Sequence, residues 1–120
     1  MRALGIDLCE VERIRRAMES TPGFLQRYYT EEEQTYIASR GAMGAQSAAA
    51  MFAAKEAYLK ALGGGLSGGV SMREVGVTHL PGGAPAYALT GEAARQLDGA
   101  RAFLSLTHEA GVAAAVCVID

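Results

Sequence analysis

The order of apolar and polar residues predicts that the chain opens with a strand and continues into a helix. Ala3–Cys9 is a short apolar run, typical of a buried strand. Glu10–Glu19 follows with Val11, Ile14 and Met18 at helical spacing. We therefore expect an amphipathic helix whose apolar stripe faces the core.

A second helix is indicated by its start signal. Thr30 is followed three residues later by Glu33, the spacing of a capping box. The helical pattern extends to about Ser39, and we expect Gly41 and Gly44 to interrupt the chain after it.

The longest helical pattern covers Gln46–Leu62 and is rich in alanine, a strong helix former. It ends at Gly63-Gly64-Gly65, where glycine allows a left-handed cap. From there to Gly69 the composition predicts a flexible loop.

The second half of the chain reads mainly as strands, in two antiparallel pairs separated by a short helix. The predicted elements are strands at Glu74–His79 and Ala84–Leu89 joined through Pro81-Gly82-Gly83, a helix at Thr90–Leu97 capped by Thr90, and a hairpin of Arg101–Thr107 and Val112–Ile119. This order predicts an α+β fold, with a mostly antiparallel sheet packed against one long helix and shorter helices, in a single domain over residues 1–120.

Composition narrows the classes of function. The 120 residues carry a net charge of −2, so no global basic field favours nucleic acid. No apolar run reaches the ~20 residues of a membrane span, and the N-terminus lacks the pattern of a signal peptide. Cys9 and Cys117 lie in apolar surroundings, which favours two free thiols over a disulfide. We expect a cytoplasmic protein without a membrane partner.

Asp7 is the first candidate for chemistry because it interrupts the apolar run of the first strand. Strand alternation places Asp7 on one face with Gly5 and Cys9. A carboxylate is costly to bury without a partner. The alternative is that Asp7 simply caps the next helix.

Glu56 and Lys60 form the second candidate. They stand four residues apart on one face of an otherwise apolar helix, where buried charges need partners. A solvated Glu–Lys pair is the simpler alternative. Together with Asp7, however, Glu56 would offer two hard oxygen ligands to Mg²⁺, which usually completes its shell with substrate phosphates. Lys60 would suit such a phosphate.

Three weaker features accompany these residues. The glycines from Gly63 could form an anion-binding nest or only a connector. His108, where a strand enters a turn, could reach a ligand or be an ordinary turn residue. A local basic patch could dock an acidic partner or be a solvated surface; its residues are Arg13, Arg15, Arg16 and Arg27.

Two long segments resemble the signatures of the phosphopantetheinyl transferases, and in particular of the holo-acyl-carrier-protein synthases. The first runs from Gly5 to Ile14 and the second from Phe52 to Gly63. The segment from Phe24 to Glu33 and the run Leu104–His108 resemble the parts between and after them. The resemblance covers nearly the whole chain in order.

This resemblance implies the phosphopantetheinyl transferase fold and transfer of phosphopantetheine from coenzyme A to a serine of an acyl carrier protein, in fatty acid biosynthesis. It implies a trimer with active sites between subunits. It also implies that Asp7 and Glu56 are Mg²⁺ ligands and that, with Lys60, they are catalytic residues. The implied coenzyme A contacts are Lys60, Gly63, Gly64, Gly65, Pro85, Thr107 and His108. The implied surface for the carrier protein is the first helix, with Arg13 and Arg16, and Arg27 beyond it. The base that deprotonates the serine would be Glu56 or a water on the metal.

The chain departs from the family pattern at two positions. Met51 and Ala84 stand where relatives often have arginine and lysine, and both changes remove a positive charge that could meet a phosphate. Two alternative functions each predict a different set of residues. A Mg²⁺ pyrophosphohydrolase would use Arg73-Glu74-Val75, which echoes part of a nudix box, but Gly76 and Val77 replace the expected glutamates. A non-catalytic carrier-binding module would not need Asp7, Glu56 and Lys60.

Overall fold

The computed structural model of the chain describes residues 1–63 and 68–120. Its helices and strands alternate little: helices dominate the first half and strands the second, as predicted. The elements are β1 (Ala3–Glu10), α1 (Val11–Ser20), α2 (Phe24–Tyr28), α3 (Glu31–Ser39), α4 (Gly44–Leu62), β2 (Val75–His79), β3 (Pro85–Leu89), α5 (Gly91–Leu97), β4 (Ala102–Glu109) and β5 (Val112–Ile119), with 3₁₀ turns at Gly41–Met43 and Met72–Glu74. The short helix α2 was not predicted.

The strands form two antiparallel sheets. The N-terminal strand lies beside the last one, giving the order β1-β5-β4, while β2 and β3 pair separately. Asp7 lies opposite Ala115 of β5, which in turn lies opposite Leu106 of β4. The predicted α+β fold, with antiparallel strands and one long helix, is therefore confirmed.

The long helix α4 packs very closely on the three-stranded sheet. Gly5 of β1 makes this possible: a Cβ added there would lie 1.9 Å from the carbonyl oxygen of Ala57 and 2.8 Å from the amide nitrogen of Ala61. Small side chains continue the contact on both sides, including fully buried Ala53 on α4 and Ala113 on β5. The helix backbone therefore approaches the strand backbone without intervening side chains.

Side chains of β1 alternate between two environments. Asp7 shares the α4-facing side with Gly5 and Cys9, as the sequence predicts, whereas the residues between them are exposed. Those residues are Leu4 (55 % exposed), Ile6 (62 %) and Leu8 (65 %). The three-stranded sheet thus has one face covered by α4 and one face that is apolar and open.

The predicted helix ends are confirmed in part. The Thr30 side chain accepts from the Glu33 amide, and the Glu33 carboxylate accepts from the Thr30 amide, which is the expected capping box. Gly63 ends α4 in the left-handed region at φ 83°. Thr90 occupies the N-cap position of α5 but makes no cap hydrogen bond with its side chain. Instead the Glu74 carboxylate accepts from the Glu92 amide.

The expected break at Gly44 is wrong, because Gly44 is the first residue of α4. A Cβ at this position would lie 3.0 Å from the Ile37 carbonyl oxygen. The glycine therefore serves close packing between α3 and α4 rather than a turn.

A buried ion pair joins α3 to α4. The Lys55 ammonium and the Glu33 carboxylate are both buried, with Nζ 2.8 Å from Oε1. The same ammonium donates to the carbonyl oxygens of Met72 and Val75, each at 3.0 Å. The second oxygen of Glu33 accepts from the Val77 amide at 2.7 Å. Every proton of this ammonium is thereby used, and both charges are compensated.

Both cysteines are free and buried, as expected. Burial is the main cause that raises the pKa of each thiol. None of the helices in the described residues is long and apolar enough to cross a membrane.

Replacing Gly5 by alanine should destabilise the protein by about 3 kcal/mol, because the new methyl group cannot fit without separating α4 from the sheet. Chemical denaturation would measure the change in unfolding free energy. Gly82→Ala is the matched control, since nothing lies within 4 Å of a Cβ there, and its effect should stay within about 0.5 kcal/mol. Equal stabilities for the two variants would contradict this close contact.

Candidate active site

The Asp7 carboxylate lies at the edge of α4, where Lys60 meets it. Lys60 Nζ is 2.9 Å from Asp7 Oδ1 and also donates to the Ile6 carbonyl oxygen at 3.1 Å. Asp7 is only partly exposed, while Lys60 is exposed. The hydrogen bond to Asp7 is the main cause that raises the pKa of Lys60. Lys60 therefore forms its ion pair with Asp7 rather than the simple Glu56–Lys60 pair that was the alternative.

Glu56 lies one helical turn before Lys60 and belongs to the same site. The pKa of the Glu56 carboxyl is raised, mainly by burial and further by the nearby Asp7 charge. Lys60 and Arg13 act in the opposite direction. The structure thus brings Asp7, Glu56 and Lys60 together, although they come from two elements about fifty residues apart.

The donor set of this site suits a hard cation that also binds a substrate. Asp7 and Glu56 offer two carboxylates, and within residues 1–63 and 68–120 no group of three or more histidine, cysteine or acidic side chains could hold a metal. Two carboxylates are too few ligands for a calcium site formed by protein alone. Mg²⁺, in contrast, commonly binds one or two carboxylates together with phosphates and water. The residues therefore fit Mg²⁺ shared with a phosphate ligand.

A second cleft gathers the other predicted ligand contacts. Pro85, Thr107 and His108 all line a cavity of about 340 Å³. The His108 ring nitrogen Nε2 lies 3.0 Å from Gln46 Nε2. Met51 also lines this cavity, so the position that lacks the family's usual arginine does face the cleft. We call this cavity the His108 cleft.

Two aromatic residues are among the lining residues of the His108 cleft that the sequence did not predict. Tyr36 and His79 line it and stack on each other, with ring centroids 4.4 Å apart and planes at 21°. They belong to α3 and β2, forty-three residues apart in the chain. The only signal was their aromatic character, which carries no information about distant partners.

The two parts of the predicted site are separate within one chain. A shallow hollow around Asp7 is lined by Ile6, Leu8 and Lys60, and among the described residues none lines both this hollow and the His108 cleft. Met51 and Lys60 are nine residues apart on α4, which places them half a turn around the helix and about 14 Å along it. One chain therefore offers two half-sites on different sides of α4.

The glycine segment is only partly described. Gly63 is the left-handed cap of α4, whereas Gly64 and Gly65 lie outside the described residues. Gly68 follows, and its carbonyl oxygen accepts from the Gln96 amide at 2.7 Å.

The arginines of the predicted basic patch differ in their surroundings. Arg15 forms an ion pair with Glu12, whereas Arg13, Arg16 and Arg27 are exposed. Arg13 is close enough to lower the pKa of Glu56. Of the exposed arginines, Arg13 therefore borders the half-site that contains Asp7 and Glu56.

Glu74, which the pyrophosphohydrolase alternative would use in catalysis, has a structural role. Its carboxylate accepts from the Ser71 and Glu92 amides, and these hydrogen bonds lower its pKa. It therefore caps a 3₁₀ turn and α5 at once.

The chain is similar in sequence to curated enzymes over nearly its full length. It is 42 % identical to the holo-[acyl-carrier-protein] synthase of Myxococcus xanthus, covering 100 % of this chain and 95 % of that protein. It is 44 % identical to the protein of the same name from Methylobacterium sp. strain 4-46, covering 98 % and 92 %.

Solved structures agree with this likeness. The crystal structure of holo-[acyl-carrier-protein] synthase from Neisseria meningitidis matches with a TM-score of 0.89 at 31 % identity, covering 100 % of this chain and 98 % of that one. The Helicobacter pylori synthase in complex with coenzyme A matches with a TM-score of 0.84 at 29 % identity, covering 98 % and 99 %. The family model of the 4'-phosphopantetheinyl transferase superfamily matches residues 3–117. The chain therefore belongs to the 4'-phosphopantetheinyl transferase superfamily.

Proposed function

We propose that the chain, acting as one domain over residues 1–120, transfers 4'-phosphopantetheine from coenzyme A to a serine of an apo-acyl carrier protein. The products are the holo-carrier protein and adenosine 3',5'-bisphosphate. The observation that carries the proposal is the convergence of Asp7 and Glu56 beside Lys60 in a member of this superfamily. The two free thiols are consistent with action in the cytoplasm.

The reaction forms a bond between the serine oxygen and the phosphorus that carries pantetheine, and it breaks the bond from that phosphorus to the adenosine bisphosphate. The serine proton needs an acceptor. Glu56, or a water on the metal, is the candidate acceptor. Lys60 places a positive charge where the pyrophosphate would lie.

Asp7 and Glu56 would hold Mg²⁺. When bound, Mg²⁺ supplies charge neutralisation on the pyrophosphate oxygens. Asp7 contributes a rigid ligand, since its strand is covered by α4. Lys60 contacts Asp7 Oδ1, and its long exposed side chain can turn toward a phosphate.

Asp7→Ala or Glu56→Ala should reduce transfer at least 100-fold and abolish Mg²⁺ binding, while the melting temperature changes little. Mass spectrometry of apo-carrier incubated with coenzyme A and Mg²⁺ would detect the added phosphopantetheine, and calorimetry would measure Mg²⁺ binding. Glu12→Ala is the control, because it removes a carboxylate from the exposed side of α1. If either site variant turned over at nearly the rate of the unmodified protein, the two-carboxylate hypothesis would be wrong. If adenosine bisphosphate were released in the absence of carrier protein, the result would favour a pyrophosphohydrolase.

We further propose that three copies of the chain assemble into a homotrimer. The open face of the three-stranded sheet carries Leu4, Leu8 and Phe103, and an apolar patch of this kind usually marks an interface. Leu4 and Phe103 both lie opposite Val118 of β5, so they form one row across the sheet. Assembly would also let the Asp7 half-site of one copy meet the His108 cleft of its neighbour.

The double variant Leu4→Lys/Phe103→Lys should dissociate the trimer and lower transfer with it, because two charges would enter the apolar contact. Light scattering after size exclusion would measure the mass. The control is Met43→Lys/Leu80→Lys, which changes two equally exposed apolar residues outside this face and should leave the mass unchanged. If the unmodified chain were a fully active monomer, the proposal would be wrong.

The carrier protein is proposed to dock on α1 and α2. Carrier proteins are typically acidic around the modified serine, so a cationic surface would steer them. Arg13 and Arg16 share a face of α1, and Arg27 supplements them from α2. Because Arg13 acts on Glu56, a carrier bound there would hold its serine near the proposed base.

Arg13→Glu/Arg16→Glu should raise the KM for the carrier protein about tenfold and weaken its salt dependence, while the KM for coenzyme A changes little. Steady-state kinetics at several salt concentrations would measure both. Arg2→Glu/Arg95→Glu, with the same change in net charge, should leave the carrier KM near its original value. If the KM rose equally for both substrates, or if the control variant had the same effect, these arginines would belong to an ordinary solvated surface.

A further inference from the structure

The carboxylates of Asp7 and Glu56 stand close enough for the charge of one to act on the other. The Asp7 charge raises the pKa of Glu56, and two carboxylates that share a site repel each other when both are ionised. Lys60 acts on Glu56 in the opposite direction. Lys60 therefore supplies, from within the chain, positive charge that this pair of carboxylates needs before any other cation binds.

Two oxygens at the end of β1 hold the Lys60 ammonium in place. Its Nζ lies 2.9 Å from Asp7 Oδ1 and 3.1 Å from the Ile6 carbonyl oxygen. A carboxylate and a backbone carbonyl are both hard oxygen groups, the type that binds hard cations in proteins. The ammonium thus occupies a position that suits a cation.

The ammonium also lies on the open side of Asp7. The Asp7 side chain is 16 % exposed, whereas that of Lys60 is 55 % exposed. The shallow hollow at Asp7 is lined by Ile6, Leu8 and Lys60, while α4 covers the other side of the strand. A cation that reaches Asp7 Oδ1 from solution must therefore take the place of Lys60.

Such an exchange of cations is favoured by charge and by the flexibility of lysine. An ion pair with an exposed partner is weak, because water and dissolved salt screen it. A divalent ion attracts a carboxylate about twice as strongly as an ammonium at the same distance, and it can also bind Glu56. Lys60 has a long flexible side chain, so its ammonium can leave Asp7 without a movement of α4.

We propose that Lys60 is the internal counter-ion of this site and that Mg²⁺ displaces it from Asp7, so that metal binding releases the ammonium for the donor phosphates. The inference rests on the proposed function, which assigns Mg²⁺ to Asp7 and a phosphate to Lys60. By linkage, the metal and the donor then strengthen each other's binding through Lys60, in addition to any direct contact between them.

The displacement can be observed directly, because the chain contains two lysines, Lys55 and Lys60. Nuclear magnetic resonance of the lysine side-chain nitrogens would follow each ammonium while Mg²⁺ alone is added, without donor or carrier protein. The Lys60 signal should shift and its protons should exchange faster with water, because the contact to Asp7 is lost. Lys55 is the internal control, since it is buried against Glu33 and its signal should stay in place. An unchanged Lys60 signal at Mg²⁺ saturation would overturn the inference.

Lys60→Gln should bind Mg²⁺ about fivefold more tightly than the unmodified protein, because a competing cation no longer holds Asp7. Calorimetry without donor would measure both affinities. Arg13→Gln is the matched control: it removes a positive charge that acts on Glu56 without being part of the Asp7 ion pair, and it should change the affinity less than about twofold.

Three outcomes of this calorimetry would contradict the inference. Equal affinities of Lys60→Gln and the unmodified protein, or no measurable binding by either, would mean that Lys60 does not keep the ion from Asp7. An equal gain in Arg13→Gln would trace the effect to the general field of positive charge.

The coupling between metal and donor gives a further measurement, the dissociation constant of coenzyme A with and without Mg²⁺. The tightening caused by Mg²⁺ should be about threefold smaller in Lys60→Gln, because no ammonium is released for the phosphates. The same tightening in both proteins would show that Lys60 does not connect the two ligands. None of these measurements involves a carrier protein, so a failure of transfer in the mass-spectrometric assay would contradict the proposed function without changing their outcome.

Discussion

The buried contact between Lys55 and Glu33 is the interaction on which the rest of the structure depends. Lys55 uses its three protons on Glu33 and on the carbonyls of Met72 and Val75, so one side chain connects α3, α4 and the start of β2. Glu33 also caps its own helix through the Thr30 amide. Removing either charge would leave the other buried and uncompensated, which is among the most destabilising changes a core can undergo. Breaking the pair would therefore disturb the packing of all three elements.

This contact also determines where the site residues point. Lys55 and Glu56 are neighbours in α4, so their side chains leave the helix about 100° apart. Once Lys55 is held toward Glu33, Glu56 must face β1, where Asp7 lies on the inward side of the strand. Close packing at Gly5 then brings the helix down onto the same strand. The core contact and the glycine together give the two carboxylates a common location without any direct bond between them.

Local patterns allowed much of the fold to be predicted, because strand alternation, the Thr30 capping box and the alanine-rich helix depend on neighbours within a few residues. Asp7 and Glu56 each interrupt an apolar run, but this pattern left a structural explanation open for both, and only the resemblance assigned them to one site. The partner of Lys55 was not found, since Glu33 lies twenty-two residues away and already had a local explanation as a cap. Gly44 was misread for a similar reason: a glycine needed for close helix packing cannot be told from one that ends a helix. The Tyr36–His79 stack depends on tertiary contacts that leave no local signature.

The small-residue contact between α4 and the sheet has a consequence for how such a chain can change over time. Asp7 and Glu56 stand on the two backbones that meet there, so their separation is a property of the main chain rather than of flexible side chains. A larger residue at Gly5 would push the two backbones apart, and the two carboxylates with them. Substitutions are therefore restricted here to glycine, alanine and similarly small residues.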